Sequence, residues 1–275
     1  MNPRDEISFP SYANAFDQGL TLEALRGRVP AVFASGADER LSDHYSFIPT
    51  SHVLSALMDA GFIAVDARQT QARRTSPLYA RHVVRLRRRM ETVQLRGYSL
   101  PEVVLLNSHD GTSRYELRLG IFRLVCSNGL IVSRGAFPAY CVAHRGKVVD
   151  EVVASALKVS EQFERLAAQV ERMEARRLTR DEQVHFAERA IALRFPDPTR
   201  SGMHPSQLLT VRRPEDLGDD LYTITNRVQE HLCRGGANRR AADGRLTRMR
   251  RITSIKREIE LNSQLWDLAT EVIAA

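Results

Sequence analysis

The run Val103-Val104-Leu105-Leu106 passes without interruption into Asn107-Ser108-His109-Asp110-Gly111-Thr112-Ser113, and no other stretch constrains this chain as much. Consecutive bulky apolar side chains point to both faces of a strand, so residues 101–107 read as a central strand covered on both sides. The polar heptad behind it is turn chemistry. Asp110 can accept backbone amides, and Gly111 can take the positive φ that a tight turn demands. The chain then re-enters an apolar stretch, Arg123-Leu124-Val125-Cys126-Ser127-Asn128-Gly129-Leu130, which ends on Asn-Gly. At 275 residues it can bury a sizeable core, as one large domain or two modest ones.

Other elements follow from periodicity. Residues 1–20, with Pro3, Pro10 and Gly19, read as an arm, and Thr21 caps a short helix over 22–28 that Pro30 closes. Residues 44–48 read as a short strand, and Ser51 caps a helix ending at Gly61. Residues 62–69 alternate as a strand. So do residues 79–89, where Arg81, Val83, Arg85 and Arg87 share one side and His82, Val84, Leu86 and Arg88 the other. Residues 115–130 fit either period, with a lean to helix in the second half, and residues 139–143 form a further strand.

Beyond Gly146 the pattern is helical. Val149, Val152, Val153, Ala156, Leu157, Phe163, Leu166, Val170 and Met173 make one long stripe. Thr179 to Glu182 is a capping box opening a second helix that stops before Pro196. Leu217 to Leu232 mark a third, ended by Gly235-Gly236, and Ile252 to Ile273 a fourth. The expected class is α+β: a small mixed or antiparallel sheet with helices, then a C-terminal helical region. The divisions are 1–30 (arm and short helix), 31–148 (α+β core) and 149–275 (helical region with a basic loop, 234–251).

The net charge is +7, and all but three of the 40 basic residues (Lys147, Lys158, Lys256) are arginine. They fall in two fields. One runs from Arg68 to Arg96 and includes Arg73, Arg74, Arg81, Arg85 and Arg87, with Glu91 the only acid among them. The other runs from Arg234 to Arg257 and includes Arg239, Arg240, Arg248, Arg250 and Arg251, with Asp243 the only acid before Glu258. Such fields suit a polyanion, and the bland alternative is a solvated or internally paired face. Because little in 234–251 is bulky and apolar, that segment is expected to be mobile until a polyanion orders it. No apolar run approaches the roughly 18 residues of a membrane helix, and no signal-type stretch follows Met1. Cys126, Cys141 and Cys233 are odd in number and unpaired in spacing, which fits a reduced cytoplasm and no zinc site.

Catalytic patterns are missing from the chain: no G-x-x-x-x-G-K, no G-x-G-x-x-G, no H-E-x-x-H. Asp66, Glu102, Asp110 and Glu116 are the carboxylates a metal-dependent nuclease would draw on, but their spacing fixes no shared face. His109-Asp110 has the look of a phosphohydrolase pair, yet His82 and His144 sit on strands or turns, not helices. Asn107, His109 and Asp110 therefore read as bonding the backbone of the turn. Cys126 beside Asn128 reads as a buried, inert thiol.

Tyr45-Ser46-Phe47-Ile48-Pro49-Thr50, the run from Leu105 to Ser113 and the run from Ile121 to Leu130 resemble the YubP/YfjQ/YafZ family of plasmid and prophage proteins, a domain of unknown function. Arg85-Leu86-Arg87-Arg88, His144-Arg145-Gly146-Lys147-Val148-Val149, Gly235-Gly236 and residues 261–266 extend the likeness over most of the chain. The resemblance implies a mobile-element protein of the bacterial cytoplasm and brings no activity with it. The order of elements is also similar to the core of single-strand annealing recombinases of the RecT and Redβ type, where arginines hold the phosphodiester backbone. The expected function is non-enzymatic nucleic-acid binding, of DNA and in its narrower form of single-stranded DNA, with no cofactor and no membrane. Tyr79 or Tyr98 would supply stacking. A homo-oligomer or a host protein is the other partner this reading allows: the runner-up is a protein that blocks a host defence or regulatory factor, and the third reading is the nuclease.

Overall fold

A computed structural model of the chain describes residues 19–41, 45–71, 76–89, 91, 93, 95, 99–123, 129–132, 137–197, 201–240 and 244–274. Helix α1 (Leu22–Arg28) starts at Thr21, whose hydroxyl accepts from the Ala24 amide. Helix α2 (Thr50–Asp59) lies before five strands that run antiparallel in chain order: β1 (Phe62–Gln69), β2 (His82–Arg88), β3 (Ser99–Asn107), β4 (Tyr115–Arg123) and β5 (Gly129–Val132). Strand β6 (Tyr140–Val142) pairs with the Tyr115 end of β4, while β5 takes the Phe122 end. Helices α3 (Val148–Ser160), α4 (Phe163–Ala175), α5 (Arg180–Arg194), α6 (Pro205–Leu208) and α7 (Leu221–Arg234) follow. A two-stranded ribbon, β7 (Asn238–Arg240) and β8 (Leu246–Arg248), then leads to α8 (Ile255–Ala274).

The two faces of the sheet have different fates. Val84, Leu86, Val103, Leu105, Leu117 and Leu119 face the main core, which runs on through α3, α4, α5, α7 and the second half of α8. The α+β segment and the helical segment thus share one hydrophobic cluster. Val83, Val104, Leu106, Phe122 and Ile131 point the other way and meet only Ile255 and Ile259 of α8 in a second, smaller cluster. That partial cover leaves part of the second face open, and the arginine row of β2 stands on it.

Several expectations are met residue for residue. Strand β1 has the expected bounds, and the capping box at Thr179 closes with both of its hydrogen bonds. Others are corrected. Residues 45–49 form no strand: Ser46 N donates to the His144 carbonyl instead of to a ladder. Among the described residues, the opening strand of the annealing-protein comparison is therefore absent. The helix after them begins at Thr50, with Pro49 rather than Ser51 at the N-cap position and no side-chain cap. Residues 115–123 are strand, and 129–132 are strand rather than helix, with 124–128 outside the described residues. The long stripe is two helices meeting at Glu161 and Gln162, both still in αR geometry, so the apolar face carries across. Leu217 lies outside its expected helix and is exposed, since α7 starts from an Asp220 cap.

Residues 234–240 and 244–251 are built into the fold. Arg240 N donates to Gly202 O, Gly236 N to Met249 O and Met249 N to Ala237 O, while Met249 and Ile252 are buried. Gly235, at φ +71°, packs so tightly that a Cβ would lie 2.4 Å from the Met249 carbonyl oxygen. The expectation of a loop without an anchor fails because backbone pairing and these two apolar side chains supply one.

Candidate functional site

The open part of the second face forms a groove of about 530 Å³. Val83, Val104, Phe122 and Ile131 make an apolar floor. Arg68 of β1, Arg85 of β2, Arg234 at the end of α7 and Arg251 ahead of α8 stand around it. The two arginine fields, far apart in sequence, thus meet at one depression. Asp66 and Glu258 are the acids in its lining, and they are engaged: Arg68 Nη1 lies 2.8 Å from Glu258 and Arg85 Nη1 3.5 Å from Asp66.

The β2 row divides by position. Arg81 donates to the Thr112 carbonyl at 3.0 Å. Arg85 makes a two-pronged contact with Glu102 at 2.7 and 3.1 Å, and its guanidinium lies 3.6 Å from the centre of the Phe122 ring. Gly120 makes this stack possible, since a Cβ there would come within 2.5 Å of that ring. Arg87 is buried and donates to the same Glu102 at 2.8 Å. Glu102 itself has no exposed surface, so it is a buried carboxylate held by two arginines. The row does share one face, as its period implies, but Arg87 faces Glu102 rather than solvent.

The second field is more open. Arg240, Arg248, Arg250 and Arg251 are exposed, and Arg239 is half-buried with its guanidinium 5.3 Å from the centre of the Phe195 ring. Arg194 lies near the same ring, and burial followed by the like charges of Arg257 and Arg239 holds its pKa below the usual arginine value. Arg212 is lowered by burial too, with Arg213, Arg248 and Arg234 adding to the effect against Glu230. Burial is the first cause at both positions, and the neighbouring guanidiniums add to it. Arg73, Arg74 and Tyr98 lie outside the described residues. Tyr79 is half-buried, does not line the groove, and accepts the His109 amide on its carbonyl.

At the other end of β3 the polar heptad does two jobs. Asp110 closes the turn, accepting from Ser108 Oγ at 2.6 Å, Thr112 Oγ1 at 2.7 Å and Thr112 N at 3.0 Å. Those bonds outweigh burial and keep its carboxyl below the usual range. Gly111 sits at φ +76°. Asn107 and His109, by contrast, do not bond the turn backbone through their side chains. Both are wholly buried and reach Thr50 of α2.

Donor accounting fixes the protons of this network. The Ala80 carbonyl can only accept, so His82 carries its proton on Nδ1 (3.0 Å) and its Nε2 accepts from the Thr50 hydroxyl (2.9 Å). Thr50 has no second proton. Hence Asn107 Nδ2 (3.1 Å) and His109 Nε2 (3.2 Å) both donate to Thr50 Oγ1. Asn107 Oδ1 then accepts from His144 Nε2 at 3.1 Å. All three imidazoles are neutral, because burial pushes His82 down to about 4, His109 to about 3, and lowers His144. Nδ1 of His109 and of His144 are covered and lack a well-formed hydrogen bond, with the Ala31 and Ser113 backbones acting against burial on the two rings.

The four carboxylates considered for a nuclease are all engaged within the fold, two of them through the same Arg85. Glu102 holds Arg85 and Arg87, Glu116 pairs with Arg118, Asp66 with Arg85, and Asp110 closes its turn. Among the described residues no three His, Cys, Asp or Glu side chains come together as metal ligands would. Cys233 lines the groove, but burial pushes its thiol up to about 12. Cys126 lies outside the described residues. No helix among the described residues is long and apolar enough to cross a membrane.

Residues 39–266 match a family described as Domain of unknown function (DUF932). The chain belongs to the DUF932 family. It is 37% identical to the UPF0380 protein YfjQ of Escherichia coli (strain K12) over 258 residues, 94% of this chain and 93% of that protein. The UPF0380 protein YafZ of the same organism is 36% identical over the same shares. No solved structure matches. What sequence reasoning missed in this DUF932 chain is the part played by Thr50, Glu102 and Phe122, of which Glu102 entered only as a nuclease carboxylate. Their roles depend on strand and helix neighbours that no local pattern names.

Proposed function

We propose that this DUF932 protein is a nucleic-acid-binding protein without catalytic chemistry, with single-stranded DNA its first ligand, acting in the transfer, repair or recombination of a mobile element. The observation that carries the reading is the meeting of two distant arginine fields at one groove, with exposed Arg248 and Arg250 outside its lining adding to the second field. Arginines along the rim suit phosphates, and an apolar floor suits bases, the combination single-strand binders use. Arg85 and Arg87 enter this reading as supports of the floor through Glu102, and the phosphate contacts fall to the second field.

A gel shift with single- and double-stranded DNA, without and with magnesium, tests it. Binding without cleavage is the expected result. Cleavage with magnesium would make the protein a nuclease. No binding to either DNA at low salt would turn the basic surface over to an acidic protein partner.

A further inference from the structure

A second depression, of about 380 Å³, lies away from the groove, beside the polar turn. Tyr45, Thr112, Ser113, Arg114, His144 and Arg145 line it. Arg114 and Arg145 are exposed and have no acidic partner among the described residues. His144 is 7% exposed and rigidly placed: its ring stacks on Tyr45 (centroids 4.6 Å apart) and tilts against Tyr115 (4.9 Å), its Nε2 proton goes to Asn107, and its carbonyl accepts from Ser46. Its Nδ1 is covered and lacks a well-formed hydrogen bond, and the Ser113 backbone favours the protonated ring while burial disfavours it.

We propose that this pocket binds a phosphomonoester, and that binding is coupled to uptake of one proton by His144. A dianion held by Arg114 and Arg145 would favour a third positive charge beneath it. The proton would enter at His144 Nδ1, where the Ser113 backbone favours the charged ring. The groups around His144 are Arg114 and Arg145 at the mouth, Tyr45 and Tyr115 on its ring, and neutral His109 behind Asn107. Asp110 is the nearby acid of the turn, and its charge is taken by Ser108 and Thr112, with Arg81 close by. Three positive charges discriminate a dianion from the single charge of a phosphodiester. The site therefore reads a free phosphate or the terminal phosphate of a strand, not a strand's interior. It does not rest on the groove reading, because no residue of the groove takes part.

The test follows the His144 imidazole by NMR on the whole protein during titration with inorganic phosphate and, separately, dimethyl phosphate. Phosphate should raise the apparent pKa of His144 by about one unit, dimethyl phosphate should not, and Arg114→Ala/Arg145→Ala should abolish the shift while the other imidazole resonances stay in place. A second arm compares 5′-phosphorylated and 5′-hydroxyl oligonucleotides on an Arg250→Ala/Arg251→Ala background, which separates a strand end from free phosphate. Equal response to the diester, an unmoved His144 titration with phosphate bound, or unchanged binding by the double variant would each overturn the proposal.

Discussion

Gly111 shows how a single position carries the polar turn. Its φ of +76° is open to glycine and costly for a β-branched residue, and a Cβ would lie 2.5 Å from Leu41 Cδ2. Gly111→Val should lower stability by about 2–3 kcal/mol, read as a lower midpoint in urea, with Gly111→Ala falling between. The buried histidines add a pH dependence whose sign is fixed. Their folded pKa values lie below the ordinary 6.5, so the unfolded chain takes protons first. Stability is complete above about pH 6.5 and is lost as pH falls toward the folded values. By pH 5 His82 and His109 together should have lost on the order of 4 kcal/mol. Urea unfolding at pH 7 and pH 5 checks this, and equal midpoints would mean the network tolerates a proton. The turn itself was legible in Asp110-Gly111. The network was not, because Asn107 and His109 are turn residues by type and core residues only by virtue of Thr50 on a helix more than fifty positions earlier.

At the level of elements, the row of Arg81, Val83, Arg85 and Arg87 was readable from period two alone, and so was its separation from the Val84 and Leu86 face. Its electrostatic partner was not. Glu102 is reached only once β2 and β3 pair, with Leu86 opposite Val103, and nothing local marks it. Removing both arginines strands a buried carboxylate. Arg85→Ala/Arg87→Ala should therefore cost about 3–5 kcal/mol, and adding Glu102→Leu should recover much of that loss. Chemical denaturation of the three proteins decides it: if the double variant unfolds at the same denaturant concentration as the original, the triad carries no structural weight. The residues from 115 to 132 were ambiguous for a related reason. Leu117, Ile121 and Leu124 fit a helical face, and it is the neighbours β3, β5 and β6 that hold Tyr115–Arg123 as a strand.

For the molecule as a whole, the α+β class and the change to helices near residue 148 follow from sequence pattern, but the shared core does not. Long-range packing decides that α8 covers the main core with one half and the second sheet face with Ile255 and Ile259. The same packing brings Arg234 and Arg251 to the groove that Arg68 and Arg85 flank. The account's central claim is that this assembled surface holds nucleic-acid phosphates. The affinity for single-stranded DNA, measured across salt concentrations for the original protein and for Arg250→Ala/Arg251→Ala, tests it most directly. Both side chains are exposed, so the variant should fold normally, bind more weakly, and show a log–log salt slope shallower by about one. Identical affinity and slope in the two proteins would contradict the claim.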